Sequence, residues 1–275
     1  MTLVLPAYAK LNLTLDVIGR RADGYHDIES VMQTISLHDL VSVERSDCKV
    51  FDVVGPSIPG ENLVLKAARE LEAHVGQSLS FQIRLHKRIP IGAGLGGGSS
   101  DAAAFLRAAI ALYDIKISAG ELQEVAQRVG QDVPFFLRGG TALATGLGST
   151  VEPLPPIPAA WRFALVCPPI EVSTREVYAG VDGSAPSARR TAAVAAALKA
   201  GRAPDPGTFG NDLEATAVSK YPRLAEAVAP ARTRLPDLKM TGTGGAFFAA
   251  FPAAQEAAAG EPLELGVFRP VPAWG

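Results

Sequence analysis

The residues best suited to chemistry stand in one glycine-rich stretch, Pro90-Ile91-Gly92-Ala93-Gly94-Leu95-Gly96-Gly97-Gly98-Ser99-Ser100. Glycine admits positive φ and removes the Cβ that would hold a phosphate away from the backbone. Ser99, Ser100 and Asp101 follow at the expected start of an alanine-rich helix, where serine and aspartate serve as caps. Free backbone N–H groups backed by the positive end of a helix dipole make a polyphosphate cradle that needs no lysine of its own. Two further residues could act on what the cradle holds. Asp132 follows a helix stop at Gly130 and precedes Val133-Pro134, where an aspartate can orient or deprotonate a hydroxyl. Lys10 lies on the polar side of an alternating strand, with Asn12 about 7 Å further along that side at ~3.3–3.4 Å per residue. Phosphoryl transfer asks for positioning and charge stabilisation rather than covalent chemistry, and this set offers both.

Each feature also has a plainer reading. Gly92-Ala-Gly-Leu-Gly-Gly97 satisfies the dinucleotide pattern G-x-G-x-x-G, which alone says little. That pattern expects a buried parallel strand directly before it. Here the preceding segment Leu79–His86 alternates in polarity, and Lys87-Arg-Ile-Pro90 intervenes. The lysine-bearing P-loop fails as well, because no Gly-Lys-Ser/Thr ending exists. An aspartate in a turn commonly bonds local backbone, and a lysine on a polar strand face ordinarily points to solvent.

The elements that must position these residues follow from periodicity. Leu11, Leu13, Leu15 and Val17 alternate with Asn12, Thr14 and Asp16, which predicts a strand with one core face and one polar face. Arg20–His26 carries Asp-Gly turn chemistry, and extended segments are expected over 28–37 and 40–44. Helical spacing appears over Glu61–Leu71, Ser99–Tyr113, Glu121–Val129, Thr191–Lys199 and Leu224–Arg234. Trp161–Cys167 and Ala246–Phe251 read as strands, and 179–190 and 201–210 as loops. Pro153-Leu-Pro-Pro-Ile-Pro158 resists both helix and central strand, so it is the expected linker between residues 1–152 and 159–275. This mixed order suggests an α+β protein in two lobes rather than a doubly wound parallel sheet.

Composition narrows the function classes. The 275 residues are 48% hydrophobic and 20% charged, with ample material for a core. A net charge of −2 gives no general attraction to nucleic acid or an anionic membrane, so an anionic ligand needs a local site. No apolar run approaches the ~18 residues of a membrane span, and the N-terminus lacks signal-peptide features; cytoplasmic residence is the expectation. Cys48 and Cys167 stand alone, and His26, His38, His74 and His86 form no ligand pair.

Several spaced motifs together resemble the galactokinase, homoserine, mevalonate and phosphomevalonate (GHMP) kinase superfamily. They are Pro6-Ala-Tyr-Ala-Lys-Leu-Asn12, Arg21-Ala-Asp-Gly-Tyr-His26, Pro90–Ala104, Gly130-Gln-Asp-Val-Pro-Phe-Phe136 and Met240-Thr-Gly-Thr-Gly-Gly245, and they cover nearly the whole chain. The resemblance implies an N-terminal lobe like the second domain of ribosomal protein S5 and a ferredoxin-like C-terminal lobe. It implies that Lys10 and Asp132 are the catalytic pair, that Pro90 through Ser100 hold ATP, and that Mg²⁺ accompanies the nucleotide; no metal ligand is singled out. Arg21-Ala-Asp-Gly-Tyr-His26 and the Gly96-Gly-Gly-Ser-Ser-Asp101 variant are similar to one member of the superfamily, and that resemblance implies a cytidyl diphosphate sugar alcohol as acceptor. Asn12, Tyr25 and His26 then match substrate-side positions, Tyr25 and Tyr178 suit stacking on a cytosine, and Thr174 suits the diphosphate. Small molecules are the expected partners, with a monomer or homodimer as the working unit; a homoserine or mevalonate-like acceptor is the alternative. Gln131 stands where the superfamily member commonly has alanine, and Ser149 where it has glutamate.

Overall fold

The computed structural model describes residues 1–57, 60–181, 189–255 and 266–274. The chain opens with β1 (Thr2–Asn12), β2 (Thr14–Arg20) and β3 (His26–Arg45), followed by β4 (Val50–Val54), α1 (Leu63–Val75) and β5 (Phe81–His86). Helices α2 (Gly97–Tyr113), α3 (Ala119–Val129) and α4 (Val133–Arg138) come next, then β6 (Thr141–Gly146) and β7 (Thr150–Pro153). The second half holds β8 (Trp161–Val166), α5 (Thr174–Ala179), α6 (Arg190–Lys199), β9 (Gly210–Asn211), α7 (Glu214–Lys220) and α8 (Pro222–Arg234). It ends with β10 (Lys239–Met240), β11 (Phe247–Pro252) and β12 (Gly266–Phe268). This is the expected α+β architecture.

The eight-stranded sheet is organised around β3, which pairs antiparallel with β1, β2, β5 and β6. The two extended segments expected over 28–37 and 40–44 are one strand of 20 residues. The smaller sheet runs β10-β11-β8-β12, all antiparallel. Helices α1 to α4 cover one face of the large sheet, burying Val41, Leu71, Phe105 and Phe135. Its other face meets α6 and the small sheet through Leu11, Ile35, Val194, Phe163 and Phe248. A third cluster, with Leu15, Leu213, Val228 and Phe247, fills the space under α7 and α8.

Three expectations need correction. The polar face of residues 10–17 is not solvated: Lys10, Asn12, Thr14 and Asp16 are all buried. Later parts of the chain cover it. Thr14 shares a hydrogen bond with Thr191 of α6, the Asp16 carboxylate accepts from the Thr191 N–H, and β9 pairs parallel with β2. The strand is also broken at Leu13, whose N–H donates to the Val31 carbonyl. The segment 201–210 is not all loop, since Pro206–Thr208 forms a 3-10 turn capped by Asp205. In the other expected loop, 179–190, residues 182–188 lie outside the described residues, and Arg190 already begins α6.

The proline-rich segment carries the chain from β7 to β8, but it is packed rather than free. Leu154 and Ile157 are buried, and the Leu154 N–H donates to the Thr141 carbonyl. The end of the chain returns to the large sheet, where the Val271 N–H donates to the Thr34 carbonyl and the Trp274 N–H to that of Arg138. Among the described residues no helix is long and apolar enough to cross a membrane.

Candidate active site

The glycine stretch connects β5 to α2, and its conformation explains its composition. Gly92, Gly94 and Gly96 have φ of 71°, 76° and 72°, in the region where L side chains are strained. Two of them are also forced by close approach. A Cβ on Gly94 would lie 2.8 Å from the Thr241 carbonyl oxygen, and one on Gly96 would lie 2.7 Å from the Phe136 ring. The second glycine turn, residues 241–245, thus packs backbone to backbone on the first, and the Ala246 N–H donates to the Ala93 carbonyl at 3.2 Å.

The cap of α2 is Gly96 itself, with no side-chain hydrogen bond, which corrects the reading of Ser99, Ser100 and Asp101 as caps. The reason is register: the helix starts at Gly97, so these residues already lie inside it, and Ser100 and Asp101 are buried. The first helical bond runs from the Ser100 N–H to the Gly96 carbonyl. The N–H groups of Gly97, Gly98 and Ser99 are therefore left over by the helix, as the cradle requires.

Lys10 reaches the loop from β1, its own N–H donating to the Leu95 carbonyl at 2.9 Å. Its ammonium donates to Asn12 Oδ1 and stands 3.5 Å from Asp132 Oδ2. The Lys10 side chain is 6% exposed and that of Asp132 33%, so the carboxylate is the more open of the two in the cleft they both line. Asp132 is the residue at the head of α4, where the proline at 134 suits the first turn and begins a helix rather than merely ending one. Asn12 is fixed in turn. Its Nδ2 donates to Ser30 Oγ at 2.6 Å and its N–H to Thr241 Oγ1 at 2.8 Å, which ties the lysine to the second glycine turn.

A cleft of about 1000 Å³ opens over this pair. Lys10, Asn12, Gly94, Gly96 and Asp132 line it together with Tyr25, His26, Thr174 and Tyr178. The His26 and Tyr178 rings stack, with centroids 5.5 Å apart and planes at 27°. His26 is buried, and its Nε2 has no partner. Burial, aided by the charge of Arg20, lowers the His26 pKa, which favours the neutral ring with its buried, unpartnered Nε2. Burial, with the charge of Asp132, pushes the Tyr178 hydroxyl up to about 12. Tyr25 is exposed at the lip, so Tyr178 is paired with His26 rather than with Tyr25. Thr174 and Thr243 exchange a hydrogen bond at 3.0 Å across the cleft wall.

Sequence reasoning missed Arg20, Asp23, Leu147 and Arg175, which also line the cleft. Arg20 adjoins a motif already noticed, but Arg175 carried no local signal. It also missed a second cavity of about 530 Å³ between β4 and α1, lined by Phe51, Val53, Asn62, Leu65 and Arg69. Its neighbour Leu63 lies 3.7 Å from where a Gly98 Cβ would stand, beside the cradle. Among the described residues no three histidine, cysteine or acidic side chains cluster as a metal cage.

Glycine turns facing each other over a lysine–aspartate pair suit a small-molecule kinase, and the comparisons agree. A family model for the GHMP kinase N-terminal domain matches residues 62–140. A protein of Pelotomaculum thermopropionicum called 4-diphosphocytidyl-2-C-methyl-D-erythritol kinase is 46% identical over 234 residues, spanning 82% of this chain and 80% of the relative. One of the same name from Burkholderia lata is 39% identical over 261 residues, 93% of this chain and 87% of the relative. A crystal structure of 4-(cytidine 5'-diphospho)-2C-methyl-D-erythritol kinase superposes with a TM-score of 0.77 at 35% identity, covering 97% of this chain and 99% of that one. Homoserine kinase from Cytophaga hutchinsonii, at 17% identity and a TM-score of 0.64, shares the fold. The chain belongs to the GHMP kinases and, within them, to the 4-diphosphocytidyl-2-C-methyl-D-erythritol kinase family.

Proposed function

We propose that this chain transfers the γ-phosphoryl group of ATP to the 2-hydroxyl of 4-diphosphocytidyl-2-C-methyl-D-erythritol, a step of non-mevalonate isoprenoid precursor synthesis. The observation that carries this reading is the Lys10–Asp132 pair, 3.5 Å apart between the glycine cradle and the His26–Tyr178 stack. Asp132 accepts or orients the proton of the acceptor hydroxyl, and Lys10, 3.5 Å from that carboxylate, holds it in place and steadies charge on the phosphoryl group in transit. The cradle of Pro90 through Ser100 holds the triphosphate, and the cavity between β4 and α1, with Phe51, Val53 and Leu65 in its wall, offers room for the purine. The cytosine lies against Tyr25 and the Tyr178 side of the stack, where a base contact contributes roughly 1–3 kcal/mol. His26 Nε2 gains the partner it lacks, and Thr174 faces the diphosphate.

Mg²⁺ enters this reading as the counter-ion of the nucleotide phosphates, and it supplies neutralisation of charge there. Ser99 at the start of α2 and the cleft-facing Asp132 carboxylate are the oxygen groups that would help hold it. The reaction belongs in the cytoplasm, where ATP is supplied, with a monomer or homodimer as the working unit.

The test is an ADP-release assay across acceptors. Turnover with 4-diphosphocytidyl-2-C-methyl-D-erythritol should exceed that with mevalonate or homoserine by at least about 100-fold in kcat/KM, since the cytidyl contacts are made by that acceptor alone. Preferential turnover of mevalonate or homoserine would overturn the assignment.

A further inference from the structure

A second charged cluster lies directly beneath the cradle. Asp39 of β3, Lys87 just after β5 and Asp101 of α2 are side chains with 0%, 4% and 2% exposure. The Lys87 ammonium donates to Asp39 Oδ2 and, at 2.7 Å, to Asp101 Oδ2. Asp39 Oδ1 accepts from the N–H groups of Arg88 and Ile89, so this carboxylate is saturated. Asp101 Oδ1 is buried with no partner. Lys87 Nζ lies 3.2 Å from the place a Cβ on Gly97 would take, so the cluster touches the first residue of the cradle helix. Asp101 follows Gly97 by one helical turn, about 6 Å at 1.5 Å per residue.

One ammonium between two buried carboxylates leaves a net negative charge behind a site built for an anion. Both oxygens of Asp39 have hydrogen-bond partners, whereas the orphaned Asp101 oxygen makes the ionised form of Asp101 costly. We propose that Asp101 is a positioning residue for the nucleotide, acting through Lys87 and Asp39: its proton sets the charge under the cradle, and its protonated form strengthens the hold on polyphosphate. Burial pushes the Asp101 carboxyl up to about 7, with Lys87 opposing and Asp39 adding to the rise. Most other cations on α2 and the elements packed against it have partners elsewhere: Arg45 of β3 lies over Tyr113, Arg69 of α1 pairs with Glu61, and Arg107 of α2 lies over Trp274, while Arg138 of α4 is exposed. Lys66 of α1 donates to the Val129 carbonyl, Arg128 of α3 pairs with Glu70, and Lys10 of β1 turns to Asn12 and to Asp132 at the head of α4.

The inference rests on the reading of Pro90–Ser100 as the ATP site, and the experiment separates the two. ATP dissociation constants are measured by titration calorimetry for the full chain and for Asp101→Asn across neutral pH. The asparagine keeps the shape and still accepts from Lys87, while the nucleotide's own titration cancels in the ratio of the two proteins. That ratio, wild type over variant, should rise about three- to tenfold between about pH 6 and pH 8, as a buried unit charge some 6–8 Å from phosphate requires. In turnover the change should fall on KM for ATP rather than on kcat. A ratio that stays flat overturns the inference and leaves the ATP site standing; failure of ATP to bind either protein at any pH overturns both. Should Asp101→Asn not fold, the carboxyl carbon of Asp101 in the wild type gives the answer by NMR: a titration near neutrality supports the inference, and its absence between about pH 5 and pH 9 overturns it.

Discussion

Lys10 and Lys87 are both buried ammoniums beside aspartates, yet their surroundings differ in the way that separates reaction from support. Lys10 has one carboxylate partner, at 3.5 Å, and that partner is a third exposed to the cleft. Lys87 has two, both nearly inaccessible, and one of them is saturated by backbone N–H groups. A loose, open pair leaves lone pairs available for a substrate hydroxyl. A closed cluster spends its hydrogen bonds on fixing β3, β5 and α2 against one another at the foot of the cradle. The same ion-pair chemistry therefore serves transfer in one place and positioning in the other.

Exchanging one lysine at a time sharpens this contrast. Lys10→Met should lower kcat by about 10²–10⁴-fold, the range for losing a positioned group that acts in the transition state, with little change in melting temperature. Lys87→Met should behave the other way round. It strands two buried carboxylates and should destabilise the fold by about 3–5 kcal/mol, read by denaturant unfolding. If the two variants showed the same balance of kinetic and stability losses, the division of labour would be wrong.

Gly96→Ala probes the hinge between the two lysine sites. It forces a side chain into a φ of 72° and against Phe136, beside the Lys10 stem. A cost of about 1–3 kcal/mol in stability is expected, together with a raised KM for ATP. The smallest effect concerns pH. A carboxyl whose pKa is raised on folding binds its proton more tightly in the native state, so stability falls as pH rises from the unfolded value through the folded one. For Asp101 that window runs from the ordinary carboxylate range to about 7. The melting temperature of the wild type relative to Asp101→Asn should thus decline through this window by on the order of a few degrees, and level off above it.

What the sequence made visible, and what it hid, follows from range. The cradle, α2 and α3 were readable because glycine conformation and helical period are local. The polar face of residues 10–17 was misjudged because α6 and β9, nearly 200 residues later, are what bury it. Asp101 looked like a cap because the helix start was placed two residues late; its true partner, Lys87, lies 14 residues upstream. Asp39 gave no signal at all, since an aspartate in a strand shows its role only once the backbone of Arg88 and Ile89 folds against it. Lys10 and Asp132 stood out as candidates by type and position, Tyr25 and His26 through motif resemblance, and the meeting of all four in one cleft is a tertiary fact that spacing alone does not supply.

The most direct test of the account is Asp132→Asn, with turnover of 4-diphosphocytidyl-2-C-methyl-D-erythritol and ATP affinity measured on the same sample. The account predicts a fall in kcat of about 10²–10⁴-fold, with the ATP dissociation constant within about threefold of wild type. Undiminished turnover would contradict it.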